Sequence, residues 1–329
     1  MASPLLPVNA GQSRTAAALD RDAVRGYRLA MIGSPMIRRL LPALLALALW
    51  GCGQQPPAPA EQADPALWVV KDDDTTLYLF GTVHVLKPGI AWFRGGVKQA
   101  FDKSDTLVLE LVMPPDAEMQ KIVAELGTAQ GGPPLPEQLP PAEAARMRAA
   151  LPEYGMAPDS LDRAEPWLAA TLLSVMPLRR LGYDDKQGAE RVLTDAAKAG
   201  GKRIEGLETA RQQLGYFDAL PLPAQRKLLI ETIDDLPRAG SKIDRAVAAW
   251  RKGDADGLAK LVNEDMASAP EVTEALLVRR NRNWADWIQR RMARPGTVFM
   301  AVGAGHLAGE ASVQAELAKR GLKVERVRP

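Results

Sequence analysis

The stretch Leu77-Tyr78-Leu79-Phe80-Gly81-Thr82-Val83-His84 indicates the fold of this chain. Its first four residues are bulky and apolar, which is typical of a buried strand, and Gly81 ends the run. A second apolar run covers residues 106–112, and residues 97–103 between the two runs have helical spacing. Strand, helix and strand in this order predict a βαβ unit, and therefore a parallel sheet with helices on its faces.

The carboxyl-terminal end of the chain repeats this arrangement. Residues 297–302 form an apolar run, 303–309 a glycine-rich turn, 310–320 a helical pattern and 322–327 a last strand pattern. Between the two ends the spacing is mostly helical and broken by prolines, except for a short strand pattern at 203–208. We therefore predict an α/β fold with a central, mostly parallel sheet built from the N- and C-terminal segments, and a large helical middle region.

The region before this sheet indicates export and a lipid anchor. Residues 36–51 combine a basic start with an apolar run, as a signal peptide does, and Cys52 follows. The run is shorter than the roughly 20 residues that a membrane-spanning helix needs. Its end resembles a lipobox, so we predict that Cys52, the single cysteine, is lipidated and anchors the protein to a membrane of the cell envelope, facing the periplasm. The alternative is a short helix with an incidental cysteine. Gly53 in place of an Asp after Cys52 favours the outer membrane.

Composition changes along the chain predict its domain boundaries. The predicted segments are a non-native or disordered extension at 1–35, the signal peptide at 36–51, a flexible Pro-, Gln- and Ala-rich tether at 52–66, and one folded domain at 67–329 with helical insertions at about 114–200 and 220–291.

The balance of charge gives no reason to expect a nucleic-acid partner. Lys and Arg total 42 against 40 Asp and Glu, and the basic residues are scattered along the chain. A nucleic-acid-binding domain would carry a concentrated basic stripe or patch.

Both histidines of the chain follow a predicted strand in the same local pattern. Gly81-Thr82-Val83-His84 and Gly303-Ala304-Gly305-His306 are each a Gly-x-x-His turn. Because open α/β sheets bind ligands at the carboxyl ends of their parallel strands, we expect His84 and His306 to share one site. Imidazole is a common metal ligand and the physiological acid or base. For either residue alone, the alternative is a histidine hydrogen-bonded to the backbone.

Glu110 interrupts the apolar run 106–112. An ionised carboxylate inside a buried strand is unfavourable unless it is paired, hydrogen-bonded or bound to a cation. We expect the strand of Glu110 to neighbour the strand that precedes His84, which would bring the carboxylate to the same site. The alternative is a glutamate at an exposed strand end, or one in an ion pair with an arginine.

Further candidates follow other predicted elements. Glu208 ends the strand pattern 203–208 and could join the same rim, as could Asp184 or Asp185. Arg280 and Asn281 could hold a carboxylate or a developing oxyanion. The alternatives are solvated caps for the acidic residues and a solvated basic helix face for Arg280 and Asn281.

Taken together, these motifs resemble those of the TraB/GumN family over a length that runs from about Trp68 to the C-terminus. They are Leu77 to His84, Leu107-Val108-Leu109-Glu110, Gly206-Leu207-Glu208-Thr209, Arg280-Asn281 with Trp284, and Val302-Gly303-Ala304-Gly305-His306-Leu307. The family is related to the TIKI proteins, which are membrane-tethered metal-dependent proteases. The resemblance implies His84, Glu110 and His306 as metal ligands or catalytic groups, with Glu208, Arg280 and Asn281 as further catalytic or supporting residues.

The function implied by the resemblance is metal-dependent hydrolysis, as in a peptidase, of a peptide or another small substrate. A divalent transition metal would lower the pKa of a bound water and polarise the scissile carbonyl, with Glu110 or Glu208 as the base. Manganese, cobalt, iron and zinc all suit a mixed set of imidazole and carboxylate ligands.

Two other functions remain open at this point. One is a metal-free hydrolase that uses His and Glu as general base and acid, as in the similar erythromycin-esterase-like proteins. The other is a non-catalytic lipoprotein that binds haem, iron or another ligand.

Overall fold

The structure is a computed structural model that describes residues 60–266 and 269–327. The predicted extension, signal peptide, lipidated Cys52 and most of the tether lie outside the described residues, so they stay predictions. Within the described ranges, no helix combines the length and the apolar character needed to cross a membrane.

The described residues contain eight strands in two sheets. Their bounds are β1 Glu61–Gln62, β2 Leu67–Lys71, β3 Thr75–Thr82, β4 Ile90–Ala91, β5 Thr106–Leu111, β6 Arg203–Glu208, β7 Gly296–Gly303 and β8 Val324–Arg326. The main sheet has six strands in the order β6-β5-β7-β3-β2-β8, while β1 and β4 form a small parallel pair.

The main sheet is mostly parallel. Its neighbouring strands β6, β5, β7 and β3 all run in the same direction, and β2 is antiparallel to both β3 and β8. Strands from the two ends of the folded part therefore share one sheet, and the predicted fold class is confirmed.

The order of the strands differs from expectation at one point. We predicted that the strand of Glu110 neighbours the strand before His84, and this is wrong, because β7 lies between β3 and β5. The reason is the apolar character of β7, in which Val298 to Val302 are all buried. Such a strand belongs in the middle of a sheet that is covered on both faces. An apolar run indicates this burial but does not specify which strands lie on either side.

The middle region is helical apart from β6. Twelve α-helices are present in the described residues: α1 Gly95–Lys103, α2 Asp116–Gly127, α3 Pro141–Ala150, α4 Pro166–Arg180, α5 Ala189–Ala199, α6 Ala210–Asp218, α7 Leu222–Asp235, α8 Ala239–Arg251, α9 Ala255–Met266, α10 Pro270–Thr273, α11 Arg279–Met292 and α12 Val313–Lys319. A π-helical turn, Glu274–Val278, joins α10 to α11. Short 3-10 turns lie at Leu135–Gln138, Leu151–Tyr154, Asp185–Gln187, Leu236–Arg238 and Ala304–Leu307.

The core lies on both faces of the main sheet, and β7 contributes to each. Phe299 and Ala301 pack on one face with residues of α1, α5 and α8. Val298, Met300 and Val302 pack on the other face with residues of α11 and α12. Alternate residues of a strand point to opposite faces, so one central strand supports both layers. Its carboxyl end is thereby held in place beside that of β3.

Candidate functional site

The two Gly-x-x-His turns emerge side by side from the sheet. Strands β3 and β7 are parallel neighbours in a register that pairs Thr82 with Gly303. Because both strands run towards the same edge, the turns that carry His84 and His306 start at the same level. The structure therefore brings the two histidines to one edge of the sheet, at the carboxyl ends of its parallel strands.

His84 is the exposed member of the pair, and its partner is Glu190. The imidazole is 75% exposed, and its Nδ1 lies 2.7 Å from Oε1 of Glu190. The same carboxylate oxygen accepts a hydrogen bond of 2.6 Å from the hydroxyl of Thr82. The side chain of His84 is therefore oriented through Nδ1, and its Nε2 has no hydrogen-bond partner among the described residues.

Close docking of α5 against the first turn places Glu190 beside His84. The N–H of Ala189 donates to the carbonyl of Val83 at 2.9 Å. A Cβ atom at Gly188 would lie 2.0 Å from the carbonyl oxygen of His84, far inside van der Waals contact. Only glycine fits at this approach of two backbones. The start of α5 is therefore locked onto the turn that carries His84.

Arg280, on α11, is the centre of a buried polar cluster. Its Nε donates to Oε1 of Glu208 at 2.9 Å, and its Nη2 donates to Oε2 of Glu208 at 2.8 Å and to Oε2 of Glu110 at 2.6 Å. Its Nη1 donates to the carbonyl of Leu276 at 3.2 Å and faces Nε2 of His306 at 3.1 Å. Every N–H of the guanidinium thus has a partner within the protein.

Glu110 joins this cluster to the second Gly-x-x-His turn. Its Oε1 accepts a hydrogen bond of 2.6 Å from the N–H of Gly303, while its Oε2 is bound to Arg280. A Cβ atom at residue 303 would lie 3.1 Å from Oε1, so the glycine allows the carboxylate to reach the backbone. The buried charge of Glu110 is compensated on both oxygens, as a buried carboxylate requires.

The hydrogen bonds around His306 determine its tautomer. Nδ2 of Asn281 donates to the carbonyl of Ala311 at 2.6 Å, so Oδ1 of Asn281 is the atom that faces Nδ1 of His306 at 2.6 Å. Nδ1 must therefore carry the proton, and the lone pair of Nε2 accepts from Arg280. The ring of Trp284 lies against the imidazole, with centroids 4.3 Å apart. His306 is thus a neutral, fully bonded and buried imidazole.

The two histidines differ in pKa because their surroundings differ. The negative charge of Glu190 and its hydrogen bond raise the pKa of His84 to about 9, and Glu110 adds to this effect. Burial, together with the positive charges of Arg280 and His84, lowers the pKa of His306 to about 4, although Glu110 opposes this effect. At neutral pH the site therefore holds one imidazolium and one neutral imidazole.

Glu110 and Glu190 remain ionised at neutral pH. Burial alone would raise the pKa of Glu110, but His306, Arg280, His84 and the N–H of Gly303 outweigh burial and lower it to about 2. Burial likewise opposes ionisation of Glu190, yet His84 and the hydroxyl of Thr82 lower its pKa. A carboxylate with a strongly lowered pKa is a weak base, and this bears on which group can take a proton from water.

The predicted metal ligands do not form a joint coordination site in this arrangement. Among residues 60–266 and 269–327, no three His, Cys, Asp or Glu side chains are arranged to hold a metal ion. The lone pair of His306 and one oxygen of Glu110 face the guanidinium of Arg280, whose fixed positive charge stands where a cation would bind. The residues His84, Glu110 and His306 therefore do not fit one shared metal as they stand. Metal dependence itself stays a prediction.

The sequence does not predict the roles of Glu190 and Thr82, and two of the predicted candidates, Asp184 and Asp185, have structural roles instead. Glu190 lies early in a helix, and no motif links it to a histidine more than a hundred positions away. Asp184 hydrogen-bonds through its backbone to Leu86, and its side chain caps a 3-10 turn by accepting from the N–H of Lys186. Asp185 lies on that same turn and faces Arg179 at 3.8 Å. Neither aspartate is among the partners of His84 or Arg280.

The model of the TraB/PrgY/gumN family matches residues 66–326, a range that includes every residue of the site described above. No curated protein and no solved structure matches the chain.

Proposed function

The chain belongs to the TraB/PrgY/gumN family, and we propose that it is a hydrolase that cleaves an ester or amide bond at the edge of the sheet where β3 and β7 end. The observation that carries this proposal is the pair formed by His84 and Glu190. An exposed imidazole whose Nδ1 is held by a carboxylate, and whose Nε2 has no partner among the described residues, is the acid-base half of the Ser-His-Asp arrangement. In this proposal water is the nucleophile that attacks a bound acyl group.

In the proposed reaction His84 carries one proton through two steps. Near or above its pKa of about 9, His84 is neutral and accepts a proton from water at Nε2 while the water oxygen bonds to the carbonyl carbon, and the π electrons of the carbonyl move to its oxygen. When the tetrahedral intermediate collapses, the leaving group departs with the electrons of its bond to carbon and takes the proton from Nε2. Glu190 orients the ring and stabilises the imidazolium formed between the steps.

The cluster around Arg280 acts as support in this proposal. Asn281 is fully buried, and Arg280, Glu208 and His306 are less than one-tenth exposed, so they reach a substrate less readily than His84 does. They are positioning residues that hold the ends of β5, β6 and β7 together and provide the field in which His84 titrates. Glu110, bound to both Arg280 and Gly303, is a poor general base for the reasons given above.

We further propose the cell envelope as the place of action and a peptide or another small acyl compound as the substrate. The lipid anchor at Cys52 rests on the sequence pattern alone. A metal ion is not part of the proposed steps, because the positive charge of Arg280 already satisfies the carboxylates that would bind it.

The proposal is tested by a screen of chromogenic esters and peptide amides against the full chain, with and without a chelator. At pH 9, where His84 is partly neutral, we expect hydrolysis that resists the chelator and falls by roughly 10²- to 10⁴-fold in His84→Gln, the range that acid-base catalysis contributes. Arg191→Gln is the matched control, because Arg191 follows Glu190 in α5 but is exposed and paired with Asp195. Equal activity in His84→Gln and the wild type would remove His84 from the mechanism. Loss of activity on chelation that a divalent metal restores would reinstate the metal-dependent mechanism.

A further inference from the structure

A recess lined with arginines lies at the opposite edge of the main sheet from the candidate site. It has a volume of about 260 Å³ and is lined at the amino ends of β5, β6 and β7, at the carboxyl end of α11, and along the loop that follows α11. Its charged and aromatic lining residues are Arg203, Arg290, Arg291, Arg294, Glu205 and Trp287. The proposed hydrolase reaction makes no use of these residues.

The arginines of the recess are largely without partners in the protein. Arg291 donates to the carbonyl of Arg294. The guanidinium groups of Arg203, Arg290 and Arg294 are exposed, and none has a hydrogen bond or ion pair with another residue of the described part of the chain. Exposed arginines elsewhere, such as Arg146 and Arg148, do pair with carboxylates. The recess thus concentrates positive charge that the fold itself does not compensate.

A structural role for these arginines at the end of α11 explains only part of the arrangement. Basic residues in the last turn of a helix interact favourably with its carbonyl end, which carries roughly half a negative charge. Arg291 makes such a contact with the loop after the helix. Arg203 lies on β6 and not on the helix, yet it lines the same recess. The positive charge of the four arginines also far exceeds the negative charge of one helix end and Glu205.

From this arrangement we infer that the recess binds a phosphate-bearing anion. Guanidinium groups present planar pairs of N–H donors that match two oxygens of a phosphate, and such charge-assisted hydrogen bonds are stronger than neutral ones. Trp287 gives one wall a half-buried aromatic surface, against which the remainder of the ligand can pack. A free phosphorylated compound and a phospholipid headgroup share this chemistry.

Calorimetry with inorganic pyrophosphate as the probe tests the site. The protein is the full chain carrying Cys52→Ser, so that no acyl anchor contributes. We expect saturable binding that weakens by about tenfold or more in Arg290→Gln/Arg294→Gln, because charged hydrogen bonds are lost. Glu205→Gln removes the carboxylate of the recess and is expected to tighten binding by about threefold. Arg179→Gln, at an exposed arginine on α4, is the control and should leave binding unchanged.

Vesicles distinguish the two sources of the phosphate group. Flotation with phosphatidylglycerol vesicles, compared with phosphatidylcholine vesicles, is measured for the same set of variants. Pyrophosphate binding with the expected order of variants supports a free ligand, and vesicle binding with that order supports a headgroup. Binding to neither probe, or binding that the Arg290→Gln/Arg294→Gln change leaves intact in a variant with an unchanged circular dichroism spectrum, would overturn the inference.

Discussion

Two histidines with the same local motif have opposite chemical states in this protein. His84 is exposed and faces a carboxylate, so its pKa rises, whereas His306 is enclosed by Arg280, Asn281 and Trp284, so its pKa falls. The Gly-x-x-His pattern specifies a turn at the end of a strand and nothing about charge. His84 is the proposed proton carrier and His306 is a structural imidazole, because different side chains from other helices and strands surround each of them.

Replacing Arg280 by methionine should strongly destabilise the fold at neutral pH. The change leaves Glu110 and Glu208 as buried carboxylates without a counter-charge, and breaking a buried pair in this way costs about 3–5 kcal/mol. Urea unfolding measures the loss. Arg282 lies two residues after Arg280 on α11. The control Arg282→Met removes only an exposed ion pair with Glu274 and should cost about 0–1 kcal/mol.

The effect of Arg280→Met should also depend on pH. In the wild type the pKa of Glu110 is lowered to about 2 from its ordinary 4.5, so its contribution to stability is complete above 4.5 and is lost as the pH falls through 2. The difference in stability between wild type and variant should therefore shrink as the pH falls from 4.5 towards 2. A difference that stays constant over this range would mean that the ion pair contributes nothing to the destabilisation.

The raised pKa of His84 has its own effect on stability. Because its pKa is about 9 in the folded state and 6.5 ordinarily, its ion pair with Glu190 contributes fully below pH 6.5 and is lost as the pH rises through 9. The wild type should lose stability relative to His84→Gln between these two pH values. Thermal unfolding of both proteins at a series of pH values measures this, and parallel curves would argue against the pair.

At the level of residues, the sequence indicates most of the side chains of the site but not the hydrogen bonds and ion pairs between them. His84, Glu110, Glu208, Arg280, Asn281 and His306 all lie at one edge of the sheet or on the helix packed against it. The partner of His84 could not be predicted from the sequence, because the contact with Glu190 depends on how α5 docks against a turn that is distant along the chain. The fully bonded state of Arg280 likewise depends on several elements meeting at one point.

At the level of elements, the docking of α5 against the first Gly-x-x-His turn determines the pKa of His84. Gly188→Ala would place a Cβ 2.0 Å from the carbonyl oxygen of His84, so the start of α5 must move away. We expect a destabilisation of about 1–3 kcal/mol, as for overpacked sites, together with a fall in the pKa of His84 towards 6.5. Urea unfolding and the titration of the imidazole measure the two effects.

The control for this change is another glycine replaced in the same way. Gly215 lies within α6, and a Cβ there would meet nothing within 4 Å. Gly215→Ala should be neutral or should stabilise the protein by roughly 0.4–1 kcal/mol, because alanine restricts the unfolded chain. If Gly188→Ala behaved like Gly215→Ala in both measurements, the docking of α5 would not be what holds Glu190 against His84.

Strand bounds were more predictable than strand order. The apolar runs near residues 77, 107 and 298 correspond to β3, β5 and β7, because buried strands need continuous apolar sequence. The sequence places the start of the fold at Trp68 but does not predict the antiparallel strand β2 there. Pairing partners depend on the crossover connections, and the position of β7 between β3 and β5 has no local signature in the sequence.

At the scale of the whole molecule, the central position of β7 makes folding depend on both ends of the folded part. A chain that ends after Arg294 lacks β7, so β3 and β5 lose their shared neighbour. We expect no cooperative unfolding transition in this truncation. A chain that ends at Leu322 lacks only the edge strand β8 and should keep a cooperative, though weaker, transition. A cooperative transition in the shorter chain would show that the sheet does not need β7.

The two Gly-x-x-His turns place one imidazolium and one neutral imidazole at the same edge of the sheet. The chain has two histidines, so an NMR titration of their ring signals, with assignment by His84→Gln, measures both states without any substrate. We expect His84 to titrate near pH 9, and near 6.5 in Glu190→Gln, while His306 stays neutral with its proton on Nδ1 down to about pH 4. Two histidines that both titrate near 6.5, unaffected by Glu190→Gln, would contradict the proposed site.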